Sequence, residues 1–361
     1  MKIRKFLLYI VVVFAAIASL AILFTSCHKD NQAPGSPEAK VTVSTFAGDG
    51  TDAYLDGPLL SARFHTPIDV AIAFDGVIYV SDYNGRRIRK ISGGRVSLLA
   101  GNGNFGDTNG AGDVAEFKDP YRIEVDAAGN VYVLDQNNPH IRQITRNGFV
   151  TVFAGTAVPG FKDGNALIAQ FALDQGGITF DAQGNMYISD TFNGRIRKIS
   201  LSGQVSTFAG KETVGFVDGD TSVAEFRYAD GILFDKQGNM FVADNGNFCI
   251  RKITPAGIVS RFTGTGTMGT ADGGAGTAQF HYINDMVIDK DGNIFLSDEN
   301  RIRKVTPEGV VLSIAGGDAG YVDGDGATAR FNYPAGMAID GEGNIYVADA
   351  LNNRVRKLSF K

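Results

Sequence analysis

Residues 344–357, NIYVADALNNRVRK, join an apolar run that ends in Asp to a basic run that ends in Lys. The chain contains this combination six times, and the aspartates that close the apolar runs are Asp82, Asp135, Asp190, Asp244, Asp298 and Asp349. The intervals between them are 53, 55, 54, 54 and 51 residues. An internal repeat of this length, built from short alternating apolar segments, predicts a propeller or a solenoid.

Each repeat contains four short alternating apolar runs, which is the sequence pattern of β-strands. The sixth repeat has only three such runs, whereas residues 41–47, VTVSTFA, form an additional run before the first repeat. If this N-terminal strand completes the last repeat, the array closes into a ring. An open solenoid would need polar capping repeats, which the sequence does not show. The sequence therefore predicts an all-β fold, a six-bladed β-propeller of four-stranded blades closed by the N-terminal strand.

The repeats resemble the NHL-repeat family in its long-loop form. The shared pattern is Phe-x-x-Pro-x-Gly-Ile, Asp-x-x-Gly-Asn-x-Tyr-Val-x-Asp, Arg-Ile-Arg-Lys and then Phe-Ala-Gly, and it covers residues 41–361. The resemblance implies a six-bladed propeller. It also implies a binding platform, since most members have that role, while a minority are enzymes that include metal-dependent lyases.

The N-terminus has the composition of a secretory signal. Basic residues precede an apolar run over residues 6–24, and small residues lead to Cys27. A cysteine at this place resembles the lipobox of bacterial lipoproteins, although Phe24 stands where that family usually has Leu. Residues 1–26 are therefore predicted to be a lipoprotein signal peptide, and Cys27 the site of lipidation. The alternative is an uncleaved anchor, because the apolar run is long enough to span a bilayer.

Residues 27–40 are polar, contain Pro and Gly, and are predicted to form a flexible tether ahead of the propeller at residues 41–361. Lys29 and Asp30 also resemble the short charged signals of surface lipoproteins of Bacteroidetes. These features predict a cell-envelope protein that is lipid-anchored to the outer membrane and faces the periplasm or the cell surface.

The overall charge and the cysteines restrict the partners. A formal net charge of −5, without a basic cluster, does not indicate a nucleic-acid-binding protein. With Cys27 assigned to the lipid, Cys249 has no partner for an intramolecular disulfide. We expect a monomeric propeller that is stabilised by burial.

The repeated aspartates and arginines have the residue types of a catalytic site, but a site is made once and these occur in every repeat. Buried charges must be paired, so we predict that an Asp–Arg pair on adjacent strands stabilises each blade. The arginines concerned are Arg89, Arg142, Arg197, Arg251, Arg303 and Arg356.

The links that lead into each repeat are long, as in residues 102–118, and links of this kind are uncommon unless they are functional. Each link carries an Asp-Gly pair, or Asn109-Gly110 in the second repeat, followed eight residues after the Asp or Asn by a phenylalanine. These phenylalanines are predicted to anchor the links between blades. They are Phe64, Phe117, Phe171, Phe226, Phe280 and Phe331.

Positions at which a residue departs from the repeat pattern predict the ligand site. Near the start of the innermost strand, three repeats have Gly, whereas the others have Asp69, Arg122 and Asp285. We expect the polar departures to ring the channel mouth on the face that carries the long links. The predicted ligand-binding residues are Asp69, Arg122, Glu124, Asp230, Asn284 and Asp285. The alternative is that Arg122 merely neutralises Asp69 and Glu124 in a water-filled channel.

Aromatic residues on the long links form a second candidate contact surface for a peptide or a glycan, unless they pack beneath their own loops. They are Tyr54, Phe105, Phe161, Phe216 and Tyr321.

The sequence favours a binding platform for a protein, peptide or glycan over an enzyme. A catalytic zinc ion needs about three convergent protein ligands, and His65 and His281 have no third histidine beside them in the repeat pattern. No nucleophile motif is present either. We therefore expect no cofactor, with a calcium ion held by Asp69, Asp285 and backbone carbonyls as the alternative. The competing functions are a metal-assisted hydrolase or lyase with its site in the channel, and a purely structural envelope protein.

Overall fold

Short hairpins with a recurrent turn build the whole fold. In the first turn of a typical blade, the Asp340 carboxylate accepts hydrogen bonds from the backbone N–H of Asn344 at 2.9 Å and from its side-chain amide at 2.9 Å. Gly343 supplies the positive φ of 86° that the turn requires. The same Asp-to-Asn bonds close this turn in blades 2 to 5. The sequences of these five repeats therefore specify the turn locally.

The computed structural model describes residues 40–173 and 175–361, and Lys40–Lys361 forms one compact unit. The predicted signal peptide, Cys27 and residues 27–39 of the predicted tether lie outside the described residues. Within the described ranges, no helix is long and apolar enough to cross a membrane.

The strands form six antiparallel sheets, the blades. The strand that follows the long link lies innermost in each blade, and a short strand within the link, where there is one, lies at the outer edge. The chain begins with β1 (Val41–Ala47) and β2 (Gly57–Pro58). Blade 1 contains β3 (Pro67–Ile72), β4 (Ile78–Asp82), β5 (Arg87–Ser92) and β6 (Arg95–Ala100). Blade 2 contains β7 (Asp119–Val125), β8 (Val131–Gln136), β9 (Ile141–Ile144) and β10 (Val150–Ala154). Blade 3 contains β11 (Gly164–Asn165), β12 (Ile178–Phe180), β13 (Met186–Asp190), β14 (Arg195–Ile199) and β15 (Gln204–Gly210).

Blade 4 contains β16 (Gly219–Asp220), β17 (Ala229–Phe234), β18 (Met240–Asp244), β19 (Cys249–Ile253) and β20 (Ile258–Thr263). Blade 5 contains β21 (Ile283–Ile288), β22 (Ile294–Asp298), β23 (Arg301–Val305) and β24 (Val311–Gly316). Blade 6 contains β25 (Gly324–Asp325), β26 (Pro334–Ile339), β27 (Ile345–Asp349) and β28 (Arg354–Phe360). Five short 3-10 turns occupy Leu59–Ser61, Ala166–Ile168, Thr191–Asn193, Asn245–Asn247 and Ala350–Asn352.

The N-terminal strand completes the last blade, as the sequence predicts. β1 pairs antiparallel with β28, in a register that places Val43 opposite Leu358. Beyond this pairing, Lys40 and Lys361 exchange two backbone hydrogen bonds, of 2.8 and 3.1 Å. The six-bladed, ring-closed architecture is therefore confirmed.

The long links run out to the edges of the blades. In four blades, a two-residue segment of the link pairs with the outermost strand, as β2 does with β6. In blades 2 and 5, single bridges from Gly110 to Val150 and from Gly273 to Val311 occupy the same place. This pairing covers part of an edge that could otherwise bind another strand.

The core lies between neighbouring blades, and the link phenylalanines are buried in it, as predicted. Phe117 packs with Ile88 and Leu99 of blade 1 and with Val133 of blade 2. The five equivalent phenylalanines are also almost fully buried. Each therefore anchors its link.

The predicted Asp–Arg pairs are present in five blades. In blade 3, Arg197 is fully buried and donates to Asp190 at 2.6 Å and to Asp163 of the link at 2.5 Å. Blades 1, 4, 5 and 6 repeat this arrangement. In blade 2, Arg142 instead donates to the side-chain oxygen of Asn109, at 2.9 Å. The repeated arginines join the links to the blades, which is a structural role.

Candidate functional site

Six residues meet at one level of the central channel, one from each innermost strand. Three are charged, namely Asp69, Arg122 and Asp285, and the others are Gly177, Gly231 and Gly336. A Cβ atom on Gly336 would collide with the Asp69 carboxylate, and one on Gly177 would lie 2.7 Å from the backbone oxygen of Asp230. Gly336 thus leaves space for the Asp69 side chain, and Gly177 permits the close approach of the backbone of the next blade.

Arg122 extends across the channel from blade 2 to blade 5. Its Nη2 donates to the backbone oxygen of Asn284, and its guanidinium lies 5.1 Å from the centre of the Tyr121 ring. Its Nη1 is 3.9 Å from Oδ1 of Asp69, which is beyond hydrogen-bonding distance. Nε and Nη1 of Arg122 have no hydrogen-bond partner among the described residues. This buried cation is therefore incompletely satisfied.

The two aspartates link neighbouring blades. Oδ2 of Asp69 accepts a hydrogen bond of 2.8 Å from the backbone N–H of Ile123, and Oδ2 of Asp285 accepts one of 2.8 Å from that of Met337. Burial raises the pKa of Asp69 well above its ordinary value, although the Arg122 cation opposes this effect. Burial raises the pKa of Asp285 as well. We call Asp69, Arg122 and Asp285 the charged level. It combines a structural role with the capacity to bind protons.

A layer of tyrosines lies at the end of the channel where the long links enter the innermost strands. The Tyr121 hydroxyl donates to Oε1 of Gln175 at 3.1 Å. The Tyr282 hydroxyl lies 2.8 Å from the same oxygen and 2.8 Å from Oδ2 of Asp230. Asn245 also donates to Asp230, at 2.5 Å. These contacts fix the side chains in place at the centre of this face.

Tyr228, Tyr282 and Tyr333 occupy equivalent positions in blades 4, 5 and 6, two residues after the link phenylalanine. Tyr228 and Tyr333 have φ angles of 51° and 58°, a left-handed backbone that bulky residues seldom adopt. Tyr228 is 52% exposed. Thr66 at the equivalent position of blade 1 has a φ of 61°, so this backbone conformation belongs to the repeat. We name Tyr121, Gln175, Tyr228, Tyr282 and Tyr333 the tyrosine layer.

The structure divides the predicted ligand-binding residues between two environments. Asp230 is bound by Tyr282 and Asn245 beneath the tyrosine layer, and Asn284 donates to the backbone oxygen of Pro334 at 3.1 Å. Asp69, Arg122, Glu124 and Asp285 line a cavity further down the channel.

The sequence predicts an open polar rim on the face that carries the long links, but in the structure this end of the channel is covered. Asp69 and Arg122 are only 3% and 2% exposed, and Ile68, Tyr121 and Ala335 pack together above them. The tyrosine layer closes this end because its rings lie over the charged level. The ligand-binding role of the six predicted residues stays a prediction.

A cavity of about 260 Å³ lies below the charged level. Its walls reach the ends of the innermost strands, where side chains such as Phe180, Phe234 and Ile288 are only half-buried. The cavity therefore opens towards the face with the short first turns. Glu124 lines it, and burial raises the pKa of this carboxyl to about 7.

The channel residues do not fit a resident metal ion. Across residues 40–173 and 175–361, no group of three or more His, Cys, Asp or Glu side chains is placed to hold one. The carboxylates of Asp69 and Asp285 lie beside the guanidinium of Arg122, whose charge would repel a cation between them. The calcium alternative is therefore not supported by the donor set.

Four of the five link aromatics stack on arginines of their own blades, and Phe105 lies against Arg86 of the preceding blade. The guanidinium of Arg87 lies 4.0 Å from the centre of the Tyr54 ring, and that of Arg354 lies 3.8 Å from the centre of the Tyr321 ring. The rings remain between 38% and 58% exposed. They are thus fixed on one side and accessible on the other.

Sequence reasoning missed Tyr282, Gln175 and Asn245, although they hold the tyrosine layer together. One signal could have found part of it. A tyrosine at the same offset from the link phenylalanine in three successive repeats breaks the pattern of the other three.

Curated proteins have sequences similar to this chain. The Protein SUPPRESSOR OF QUENCHING 1, chloroplastic, of Arabidopsis thaliana is 26% identical over 283 residues, which are 73% of this chain and 27% of that protein. Across seven curated relatives, the chain spans between 10% and 39% of their length.

Two solved structures have a similar fold. An auxiliary nutrient binding protein from Bacteroides thetaiotaomicron superimposes with a TM-score of 0.68 at 18% identity, over 90% of this chain and 77% of that one. A gluconolactonase from Xanthomonas campestris gives a TM-score of 0.56 at 11% identity, over 91% and 96%.

Two family models match the chain. The NHL repeat model matches residues 331–358, in agreement with the resemblance of the repeats. The model described as SMP-30/Gluconolactonase/LRE-like region matches residues 62–268, which is more than half of the chain. The chain is thus an NHL-repeat propeller that belongs to the SMP-30/gluconolactonase/LRE-like family.

Proposed function

We propose that this chain is a non-catalytic binding protein of the bacterial cell envelope that holds a glycan at the tyrosine layer. The observation that carries the proposal is the placement of Tyr228, Tyr282 and Tyr333 at equivalent positions of three successive blades. Tyr282 shares Gln175 with Tyr121, and Tyr333 packs against Tyr121. Tyr228 is exposed at the equivalent position of its blade. The other three blades carry Thr66, Asp119 and Leu173 there.

The chemistry of the tyrosine layer suits a sugar. A tyrosine offers an apolar ring face and a hydroxyl that seeks a polar partner, and Gln175 adds an amide that can donate as well as accept. A sugar presents C–H faces and hydroxyl groups that match both. Partly buried hydrogen bonds hold Tyr121, Gln175 and Tyr282 in place, so little ordering of these side chains is needed on binding.

The envelope location rests on the N-terminal prediction. A signal peptide over residues 1–26 and a lipid on Cys27 would place the propeller outside the cytoplasm. The solved Bacteroides structures that are named auxiliary nutrient binding proteins support the same setting and a binding role.

The test is a combined glycan and peptide array with the full chain, followed by affinity measurements on two variants. We expect selective glycan binding, weakened about tenfold by Tyr228→Ala because an exposed aromatic contact is lost, and about fivefold by Tyr282→Phe because a hydroxyl is lost. Tyr346→Phe is the matched control, since this tyrosine bonds to Asp340 in a turn. Selective peptide binding, or no selective binding at all, would overturn the proposal.

One observation favours a second candidate. Glu124 has a pKa of about 7 and lines the open cavity, which suits a general acid or base. A hydrolase acting on a lactone or similar ester would use it. Turnover of a lactone panel that is lost in Glu124→Gln would support this candidate, and no turnover would remove it.

A further inference from the structure

The cavity below the charged level carries unbalanced charge. In the part of the chain that the structure describes, its lining contains three carboxyl groups, those of Asp69, Glu124 and Asp285, and one guanidinium, that of Arg122. The strands β12, β17 and β26 contribute only uncharged lining residues. When two or more of the carboxyl groups are ionised, Arg122 cannot neutralise them. A positive charge on a ligand would therefore be stabilised there.

The charged groups are also incompletely paired with each other. Nη1 of Arg122 lies 3.9 Å from Oδ1 of Asp69, and within the described chain its Nε and Nη1 find no acceptor. The aspartate oxygens accept backbone N–H groups instead, from Val70 and Ile123 for Asp69 and from Met337 for Asp285. A gap of this length between donor and acceptor fits an intervening group that can accept and donate together. A hydroxyl does both.

The cavity limits the size of its ligand. A volume of about 260 Å³ is close to the lower end of the range for small-molecule sites. Its walls include Ile178, Leu233 and Met286, which offer apolar contact to the carbon skeleton of a small molecule.

We propose that this cavity binds a small protonated amine that also carries hydroxyl groups, the class of amino sugars and amino alcohols. The ammonium group is held by the carboxylate of Glu124, and a hydroxyl bridges Arg122 and Asp69. The site opens on the opposite end of the channel from the tyrosine layer, so it does not depend on the proposed function.

Binding is coupled to protons. The charged and titratable groups that line the cavity with Glu124 are Asp69 on β3, Arg122 on its own strand β7, and Asp285 on β21. Because burial raises the pKa of Glu124 to about 7, this carboxyl is largely protonated in the empty cavity at mildly acid pH. A bound ammonium stabilises the ionised form, so binding releases a proton.

The first experiment is calorimetric titration of the full chain with D-glucosamine and D-glucose, which differ by an ammonium group in place of one hydroxyl. At a pH about half a unit below that of half-protonation of Glu124, we expect glucosamine to bind at least about tenfold more tightly than glucose. Glu124→Gln should reduce this preference to about threefold or less, since the neutral amide keeps the shape but not the charge. Asp291→Asn, in an exposed turn ion pair with Lys290, is the matched control and should keep the preference.

Equal binding of the two sugars, absence of glucosamine binding, or an unchanged preference in Glu124→Gln would overturn the proposal. If Glu124→Gln does not fold, the wild-type chain alone decides. Titration in two buffers of different ionisation enthalpy should show release of about half a proton or more per glucosamine bound, and no release would refute the site. Tyr282→Phe should leave glucosamine binding unchanged, which separates this inference from the glycan site.

Discussion

Arg197 in the outer part of blade 3 and Arg122 in the channel are both buried, yet they differ in how they are paired. Arg197 touches two carboxylates directly, at 2.6 and 2.5 Å, and has counterparts in the other blades. Arg122 occurs once, crosses the channel, and has its nearest carboxylate oxygen at 3.9 Å. Among the described residues, Nε of both arginines has no hydrogen-bond partner, but each Nη atom of Arg197 reaches a carboxylate, whereas Nη1 of Arg122 has no partner. Direct pairing with carboxylates therefore distinguishes the scaffold from the candidate site better than residue type does.

The largest effect on stability should come from removing the buried cation of Arg197. Arg197→Met leaves Asp190 buried without its cation, and we expect it to lower the free energy of unfolding by about 3–5 kcal/mol. Arg122→Met should cost less, because within the described ranges Arg122 has no direct hydrogen bond to a carboxylate, and Asp69 and Asp285 keep the backbone N–H groups that they accept from. Urea unfolding of both variants checks this order. A larger loss for Arg122→Met would contradict the comparison.

The stability of the protein should be sensitive to side-chain volume added at the charged level of the channel. Gly336→Ala places a methyl group against the Asp69 carboxylate, so we expect a loss of about 1–3 kcal/mol in the free energy of unfolding from overpacking. Gly341→Ala is the control, since nothing lies within 4 Å of an added Cβ there. Equal stability of the two variants would show that the channel can expand, which would contradict tight packing at the charged level.

The unmatched carboxyl groups should make stability depend on pH. The pKa of Glu124 is raised from 4.5 to about 7 by burial, so the folded state binds more protons than the unfolded state between these values. The free energy of unfolding therefore falls as pH rises through this window. Glu124→Gln should remove this contribution, about 2–3 kcal/mol between the two ends of the window. Unfolding curves of both proteins across the window measure it, and parallel pH profiles would refute it.

The smallest effect on stability should come from giving Arg142, in the outer part of blade 2, a carboxylate partner. Asn109→Asp gives Arg142 the carboxylate that the other blades have, and we expect a gain of about 0.5–1 kcal/mol, as for a partly exposed ion pair. Asp163→Asn, the reverse change in blade 3, should lose a similar amount. Thermal unfolding compares the two. A loss of stability in Asn109→Asp would show that blade 2 has adapted to the amide.

The repeat made most of the fold predictable. Six copies with fixed spacing predict the blades, the missing run in the last copy predicts the pairing of β1 with β28, and the recurrence of Asp190 and Arg197 predicts a structural pair. Each of these conclusions needs only a comparison of the sequence with itself.

The site was less predictable because it depends on contacts across the ring. The breaks at Asp69, Arg122 and Asp285 correctly indicate one level of the channel, but the sequence cannot show that Tyr121 and Tyr282 close one end of it. Those contacts join blades 2, 3 and 5, whose side chains meet only after the ring has formed. Similarly, the raised pKa of Glu124 results from burial by residues of several blades.

The pairing of β1 with β28 has a consequence for folding during synthesis. The first strand of the propeller is made before all the others, but its partner is made last, so β1 stays unpaired until residues 354–360 are available. Closing so long a segment of chain is slow, and the edges exposed in the meantime favour aggregation. Because Lys40 and Lys361 already share backbone hydrogen bonds, a short linker could join them. A circular permutant opened at the turn around Gly238 would then pair these two strands early, and we expect it to refold faster than the natural chain.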